Sequence, residues 1–205
     1  MQDDSGLQSV LKIPSVYALS QELSGAHRWR KKFIREMLRP VAGDKLVDIG
    51  CGPAQMLDWL PAVRYIGLDV SEAYIESAKR KYGARGKFLV GSTSTLRGHE
   101  LLRDVDIVMC CGVLHHLDDD EALDLIGFAH EILKPGGRFV ALETAWLSGQ
   151  GRLSRWIVGQ DRGKNVRTDS NYHALVAKYF SKIKIVPDLH PLRIPYAGVV
   201  MECSK

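Results

Sequence analysis

The stretch Lys45-Leu46-Val47-Asp48-Ile49-Gly50-Cys51-Gly52 constrains this chain more than any other. A largely apolar run breaks into two glycines one residue apart, Gly50 and Gly52. A buried parallel strand that ends this way offers backbone N–H groups to a ligand that any Cβ would push away. Asp48 adds a carboxylate inside the strand, just ahead of the turn. A phosphate-binding loop rarely carries a negative charge there, whereas a ligand bearing an ammonium or sulfonium tolerates it.

The same alternation continues downstream. Short apolar runs at Lys45 to Ile49, Tyr65 to Asp69, Phe88 to Val90, Val105 to Cys110 and Phe139 to Glu143 predict strands. Helical patterns between them make βαβ units and a parallel sheet. Ser71 to Tyr82 reads as a helix capped by Ser71, with Tyr74, Ile75, Ala78 and Tyr82 on one face. Asp119 to Leu133 reads as a second, with Asp119, Asp120 and Glu121 at its positive end and a stripe from Ala122 to Leu133. Pro135-Gly136-Gly137 ends it. Asp69 closes the second strand, where an acidic side chain accepts both hydroxyls of a ribose.

The 205 residues fit one domain, and 45% hydrophobic content supplies a core. No apolar run reaches the roughly 18 residues of a membrane span. Met1-Gln2-Asp3-Asp4-Ser5 lacks the basic and apolar stretches of a signal peptide, so a cytoplasmic protein is expected. The formal charge of +4 suits an acidic substrate but is too small for a nucleic-acid footprint. Cys51, Cys110, Cys111 and Cys203 form no C-x-x-C pair and read as reduced, packed thiols.

Two regions flank this core. Residues 14 to 40 look helical, with Trp29, Phe33 and Met37 four apart and Pro40 as the stop, and residues 1–41 are expected to form an N-terminal helical cap. The remainder, 42–205, forms the main domain. Within it, 146–170 is rich in Gly, Arg and Ser without clear period and reads as a loop of lid type. Asn171 to Phe180 predicts a helix, and Ile183 to Val186 and Gly198 to Cys203 predict closing strands, the last at or near a sheet edge.

Four motifs in order are Val47-Asp48-Ile49-Gly50-Cys51-Gly52-Pro53, Gly67-Leu68-Asp69-Val70-Ser71, Val113-Leu114-His115-His116-Leu117 and Leu133-Lys134-Pro135-Gly136-Gly137-Arg138-Phe139. From about Ala42 to Glu143 the chain thereby resembles the class I S-adenosylmethionine-dependent methyltransferases, in their bacterial small-molecule branch. The resemblance implies an α/β, Rossmann-like, doubly wound sheet. It would have seven mostly parallel strands, an antiparallel C-terminal strand and helices on both faces.

It also implies S-adenosylmethionine as cofactor, S-adenosylhomocysteine as product, and a small-molecule acceptor methylated on oxygen or nitrogen. Asp48, Gly50, Cys51 and Gly52 would line the methionine end, with Cys111 passing beneath it. Asp69 would hold the ribose, Val70 would flank the adenine, and Ser92 and Thr93 would approach its edge. Ala54 stands where many relatives have a third glycine, and Ser92 where many have an acid. His116 is nominated as catalytic base and substrate contact, its neighbour His115 being expected to point elsewhere. Trp156 and Tyr172 are nominated as substrate contacts, with His173 and Asp161 as further base candidates. Arg152, Arg155, Arg162, Lys164 and Arg167 would suit an acidic acceptor. Tyr17, Arg28 and Arg30 would close over the cofactor, an arginine meeting its carboxylate.

Rival readings fare less well. A nicotinamide dehydrogenase wants glycine where Gln55 stands, and no Tyr-x-x-x-Lys pair occurs. Enzymes that methylate base amines carry Asn-Pro-Pro-Tyr or Asp-Pro-Pro-Tyr where this chain has Cys110-Cys111-Gly112-Val113. A nucleic-acid methyltransferase or a non-catalytic cofactor-binding protein remains the alternative.

Overall fold

The computed structural model describes residues 26–161, 163–188 and 195–205. Seven strands form the main sheet: β1 Lys45–Ile49, β2 Arg64–Asp69, β3 Gly86–Val90, β4 Val105–Cys111, β5 Leu133–Trp146, β7 Lys182–Asp188 and β8 Gly198–Ser204. Their order is β3-β2-β1-β4-β5-β8-β7, and a two-residue strand, β6 Arg167–Thr168, pairs with the end of β5 as an eighth. β1 to β5 run parallel, whereas β8 is antiparallel to both β5 and β7. The strand order reverses between β1 and β4. The ligand crevice of an open α/β sheet opens there, outside the carboxyl ends of the strands.

The helices follow their caps. α1 spans Ala26–Phe33 and continues as a π-helical turn, Ile34–Leu38, that ends where Arg39 turns left-handed. α2 spans Glu72–Tyr82, its Ser71 side chain accepting the Tyr74 amide. A four-residue helix, α3, spans Thr93–Leu96. α4, Asp119–Ile132, starts in a capping box between Asp118 and Glu121. α5 spans Arg152–Gly159 and α6 spans Asp169–Val176. No helix among the described residues is long and apolar enough to cross a membrane.

One sheet face packs against α4 and α6 through Ala122, Ile126, Phe128, Tyr172 and Val176; the other packs against α1 and α2 through Phe33, Leu38, Ile75 and Tyr82. The described part of the N-terminal segment is thus core, with Trp29 stacked on Phe33 at 5.3 Å. Arg138 ties it down by donating to the Leu38 carbonyl at 2.8 Å and bonding Glu202 at 3.1 Å. Residues 14–25, including Tyr17, lie outside the described residues.

Of three expectations about the flanks, two need correction. β8 lies one strand in from the edge, near it as expected: it is flanked on both sides, Gly198-Val199-Val200-Met201 is buried, and β7 forms the edge. β5 is longer than Phe139 to Glu143, because Val105 pairs with Leu133 and Ile107 with Arg138, so the Pro-Gly-Gly turn becomes an irregularity within the strand. Finally, 146–170 is not one loop but contains α5 and β6.

Candidate active site

Gly50 and Gly52 build the centre of the strand-tip cradle. The amides of Gly50 and Cys51 both donate to the Leu68 carbonyl, at 2.8 and 3.0 Å, which fastens the turn to β2. Gly50 sits at φ +72°, and a Cβ there would lie 2.4 Å from the Val113 side chain. Gly52 also has positive φ, +53°, but its absent Cβ faces nothing within 4 Å. The first glycine is required by packing against the β4 loop; the second leaves room above the turn. Ala54 adopts the left-handed region too, at φ 57°, and is fully buried.

Asp69 braces the turn. Its Oδ2 accepts the Gly52 amide and its Oδ1 the Ser71 amide, both at 2.8 Å. Val70 follows it with 72% of its surface exposed, and Val90 at the tip of β3 is 46% exposed, leaving two apolar side chains in water beside a half-buried carboxylate. The Gly91 amide donates to the Asp69 carbonyl at 2.9 Å, which brings the β3 loop alongside. In that loop Ser92 caps α3, and the Thr93 hydroxyl donates to Asp124 at 2.7 Å, so both hydroxyls already serve local structure.

Asp48 points the other way from Val47 and Ile49, into a buried cluster beneath the turn. It is 3% exposed, and its Oδ2 accepts the Tyr65 hydroxyl at 2.6 Å. Burial pushes its pKa up from 3.8 to about 7; the Tyr65 hydrogen bond opposes this and the Asp69 charge adds to it. Cys51 and Cys111 flank it, and burial followed by the Asp48 charge pushes both thiols up, so neither is a thiolate at neutral pH. Arg30 on α1 counters that rise at Cys111, and its guanidinium stands 5.6 Å from the centre of the Trp59 ring. α1 therefore brings a cation toward this end of the cradle.

The β4 loop holds a second cluster. His115 Nδ1 lies 2.6 Å from Glu143 Oε2, and its Nε2 lies 3.2 Å from Asp161 Oδ1. Glu143, 1% exposed, also accepts the amides of Val113, Leu114 and His115. Asp161 further accepts the Tyr196 hydroxyl at 2.6 Å, the Thr144 hydroxyl at 3.1 Å and the Gly163 amide at 2.8 Å. Burial lowers the His115 pKa, but hydrogen bonds to Asp161 and Glu143 outweigh it and lift the imidazole from 6.5 to about 9. Burial raises Asp161, yet its bonds to His115 and Tyr196 hold it well below the ordinary 3.8. His115 is thus an imidazolium between two carboxylates at neutral pH and has no lone pair with which to take a proton.

His116 is exposed and lies against His115, ring centroids 4.1 Å apart. Val113 in the same loop touches Gly50, which joins the histidine turn to the glycine cradle. One nominated residue falls elsewhere. Tyr172 is fully buried in the core and donates its hydroxyl to the Thr144 carbonyl at 3.0 Å. That is a correction, since a side chain sealed beneath the sheet presents no surface to a substrate. Trp156 is 64% exposed on α5, on the outside of the helix beside Leu153. Arg167 is also spent internally: it forks onto Asp119 at 2.9 and 2.7 Å and donates to the Leu114 and Leu117 carbonyls. Arg155 covers Trp146, and Arg162 lies outside the described residues.

Glu143 is the residue that sequence reasoning missed. Its signal was an acid at the carboxyl end of the apolar run Phe139-Val140-Ala141-Leu142, the place that made Asp69 conspicuous.

Comparison with known proteins agrees with this geometry. A family model described as a methyltransferase domain matches residues 46–137. A ubiquinone/menaquinone biosynthesis C-methyltransferase of Rubrivivax gelatinosus is 31% identical over 122 residues, covering 58% of this chain and 47% of that protein. The chain spans only 36% to 48% of the length of the curated relatives it matches. Among solved structures, the pyocyanin biosynthetic protein PhzM superposes with a TM-score of 0.74 at 17% identity, covering 98% of this chain and 62% of that one. The geranyl diphosphate C-methyltransferase of Streptomyces coelicolor, solved with Mg2+, geranyl diphosphate and S-adenosylhomocysteine, gives 0.68 at 21% identity, covering 85% and 76%. Fold, strand-tip motifs and family match converge: residues 46–137 match a methyltransferase domain, and the chain is similar to the class I S-adenosylmethionine-dependent methyltransferases.

Proposed function

We propose that the protein transfers a methyl group from S-adenosylmethionine to a small-molecule acceptor. The observation that carries this reading is the open Gly52 turn braced by Asp69, with exposed Val70 beside it. These residues fit the cofactor. Asp69 offers carboxylate oxygens to a ribose once they exchange their backbone partners, Val70 and Val90 offer apolar cover to a flat base, and Asp48 supplies negative charge near the turn. Arg30 is the partner for a carboxylate at that end. Ser92 and Thr93 contribute through the shape of their loop more than through their hydroxyls.

When bound, the cofactor supplies an activated methyl on a sulfonium; the chain's part is to hold the acceptor in line with it and to keep water out. Of the N-terminal segment, α1 stands on the cofactor side and brings Arg30 there, and the described residues of 146–170 serve as the cover on the acceptor side. Oxygen or nitrogen is the acceptor atom in this reading. Exposed His116 takes the acceptor's proton, a role that charged His115 is unable to fill. A carbon acceptor is the second reading, favoured by the C-methyltransferase named above. Transfer from a donor carrying a 13C methyl separates them once an acceptor is in hand: a product methyl resonance of ether or amine type supports oxygen or nitrogen, and one of carbon-bound type favours carbon.

Calorimetry tests the cofactor site directly. Wild type should bind S-adenosylmethionine, and Asp69→Ala and Gly52→Val should each weaken binding at least tenfold while retaining wild-type circular dichroism. Unchanged affinity in both variants refutes the assignment.

A further inference from the structure

Asp48 is a buried carboxylate with no ion pair among the described residues. Its hydrogen-bond partner among them is the neutral Tyr65 hydroxyl. From β1 and the turn it meets Cys51, from β2 Tyr65 and Asp69, and from β4 Cys111. Tyr65, Cys51 and Cys111 are all held in their neutral forms by burial, and Arg30 acts on the cluster from α1 through Cys111. A second negative charge, Asp69, is close enough to oppose ionisation. Four residues along the chain, Gly52 has open space where its Cβ would stand. A carboxylate so placed has no ion-pair partner among the described residues, and a positively charged ligand in the turn would supply one.

We infer that Asp48 reads the charge of the ligand in the turn: it ionises when the positively charged methyl donor binds and takes its proton back when the neutral-sulfur product replaces it. The inference rests on the cofactor assignment above and deepens it. S-adenosylmethionine carries one more positive charge than S-adenosylhomocysteine, so the two differ in the one property to which Asp48 is sensitive. Donor binding drives the Asp48 proton to solvent. Methyl transfer removes the sulfonium charge, the carboxylate again faces Asp69 uncompensated, and it recovers a proton from solvent, which favours product release. The pKa near 7 in the unliganded protein puts this exchange within the physiological range.

Titration calorimetry of the wild-type protein tests it without any variant. S-adenosylmethionine and S-adenosylhomocysteine are titrated from about pH 5.5 to 7.5 in buffers of different ionisation enthalpy, which counts released protons. Donor affinity should rise about tenfold over that range with net proton release, and product affinity should change less. Asp48→Asn, which keeps an acceptor for Tyr65, should flatten the donor's pH dependence. Tyr65→Phe removes the hydrogen bond that favours the carboxylate and should move the donor midpoint to higher pH. Equal pH slopes and equal proton release for donor and product overturn the inference while leaving the cofactor site standing. No uptake of either compound at millimolar concentration overturns the cofactor assignment itself.

Discussion

His115 carries a charge that burial alone would remove, and the cost of keeping it is met by two carboxylates. Its folded pKa, about 9, is above the ordinary 6.5, so its stabilisation is fully present below 6.5 and disappears as pH rises through 9. Asp161 is depressed, so its share is present above 3.8 and is lost on acidification below that. The contribution of the ionic cluster to stability is therefore greatest between about pH 4 and 6.5 and declines from there to about pH 9, where His115 loses its charge. His115→Gln should cost about 3 kcal/mol at pH 6, and the gap to wild type should close above pH 9. Melting both proteins across that range checks it; a gap independent of pH would mean that packing, not charge, is what was lost. Gly163→Ala should act on the same group by contact, since its Cβ would lie 2.1 Å from the His115 ring. At this scale Gly50, Gly52 and Asp69 were legible because a turn and a strand end restrict residue type locally. The roles of His115 and Tyr172 were hidden, because each is defined by partners 28 positions away on β5.

Among the elements, those with polar caps and single apolar stripes were the readable ones. α2 and α4 announce themselves through Ser71, Asp118 and Glu121. α5 did not, because it buries only Ser154 and Val158 while Leu153 and Trp156 stand exposed, so its apolar residues contradict its inward face. The Pro-Gly-Gly turn misled for a different reason: a bulge lets β5 pair on both sides of it. What binds the 146–170 segment to the active loop is Arg167, whose fork spans Asp119 and two carbonyls of the histidine turn. Arg167→Lys keeps the charge but not the fork. It should cost about 2 kcal/mol and raise hydrogen exchange across the chain on either side of the 114–117 turn. An unchanged exchange pattern would mean that this segment is anchored elsewhere.

For the molecule as a whole, the sheet order puts both buried clusters on neighbouring strand tips. Asp48 and Asp69 belong to β1 and β2, Cys111 and the histidine loop to β4, and Glu143 to β5. They surround the reversal between β1 and β4, where the crevice opens. That arrangement follows from βαβ handedness and was foreseeable from the alternating pattern; the insertion of β8 between β5 and β7 was not, because buried closing strands look alike whether or not a neighbour lies beyond them. Since the crevice is formed by loops of several strands, a ligand filling it holds them together and should stabilise the whole fold. S-adenosylmethionine at about 100 times its Kd should add about 2.7 kcal/mol, or roughly 5–10 °C in melting temperature for a chain of this size. Asp69→Ala, weakened tenfold or more, should gain at most about 1.4 kcal/mol, about half the rise, at the same concentration. If the variant gained as much as wild type, the ligand would be held somewhere other than the tips of β1 and β2, and Asp69 would be a brace for the glycine turn alone.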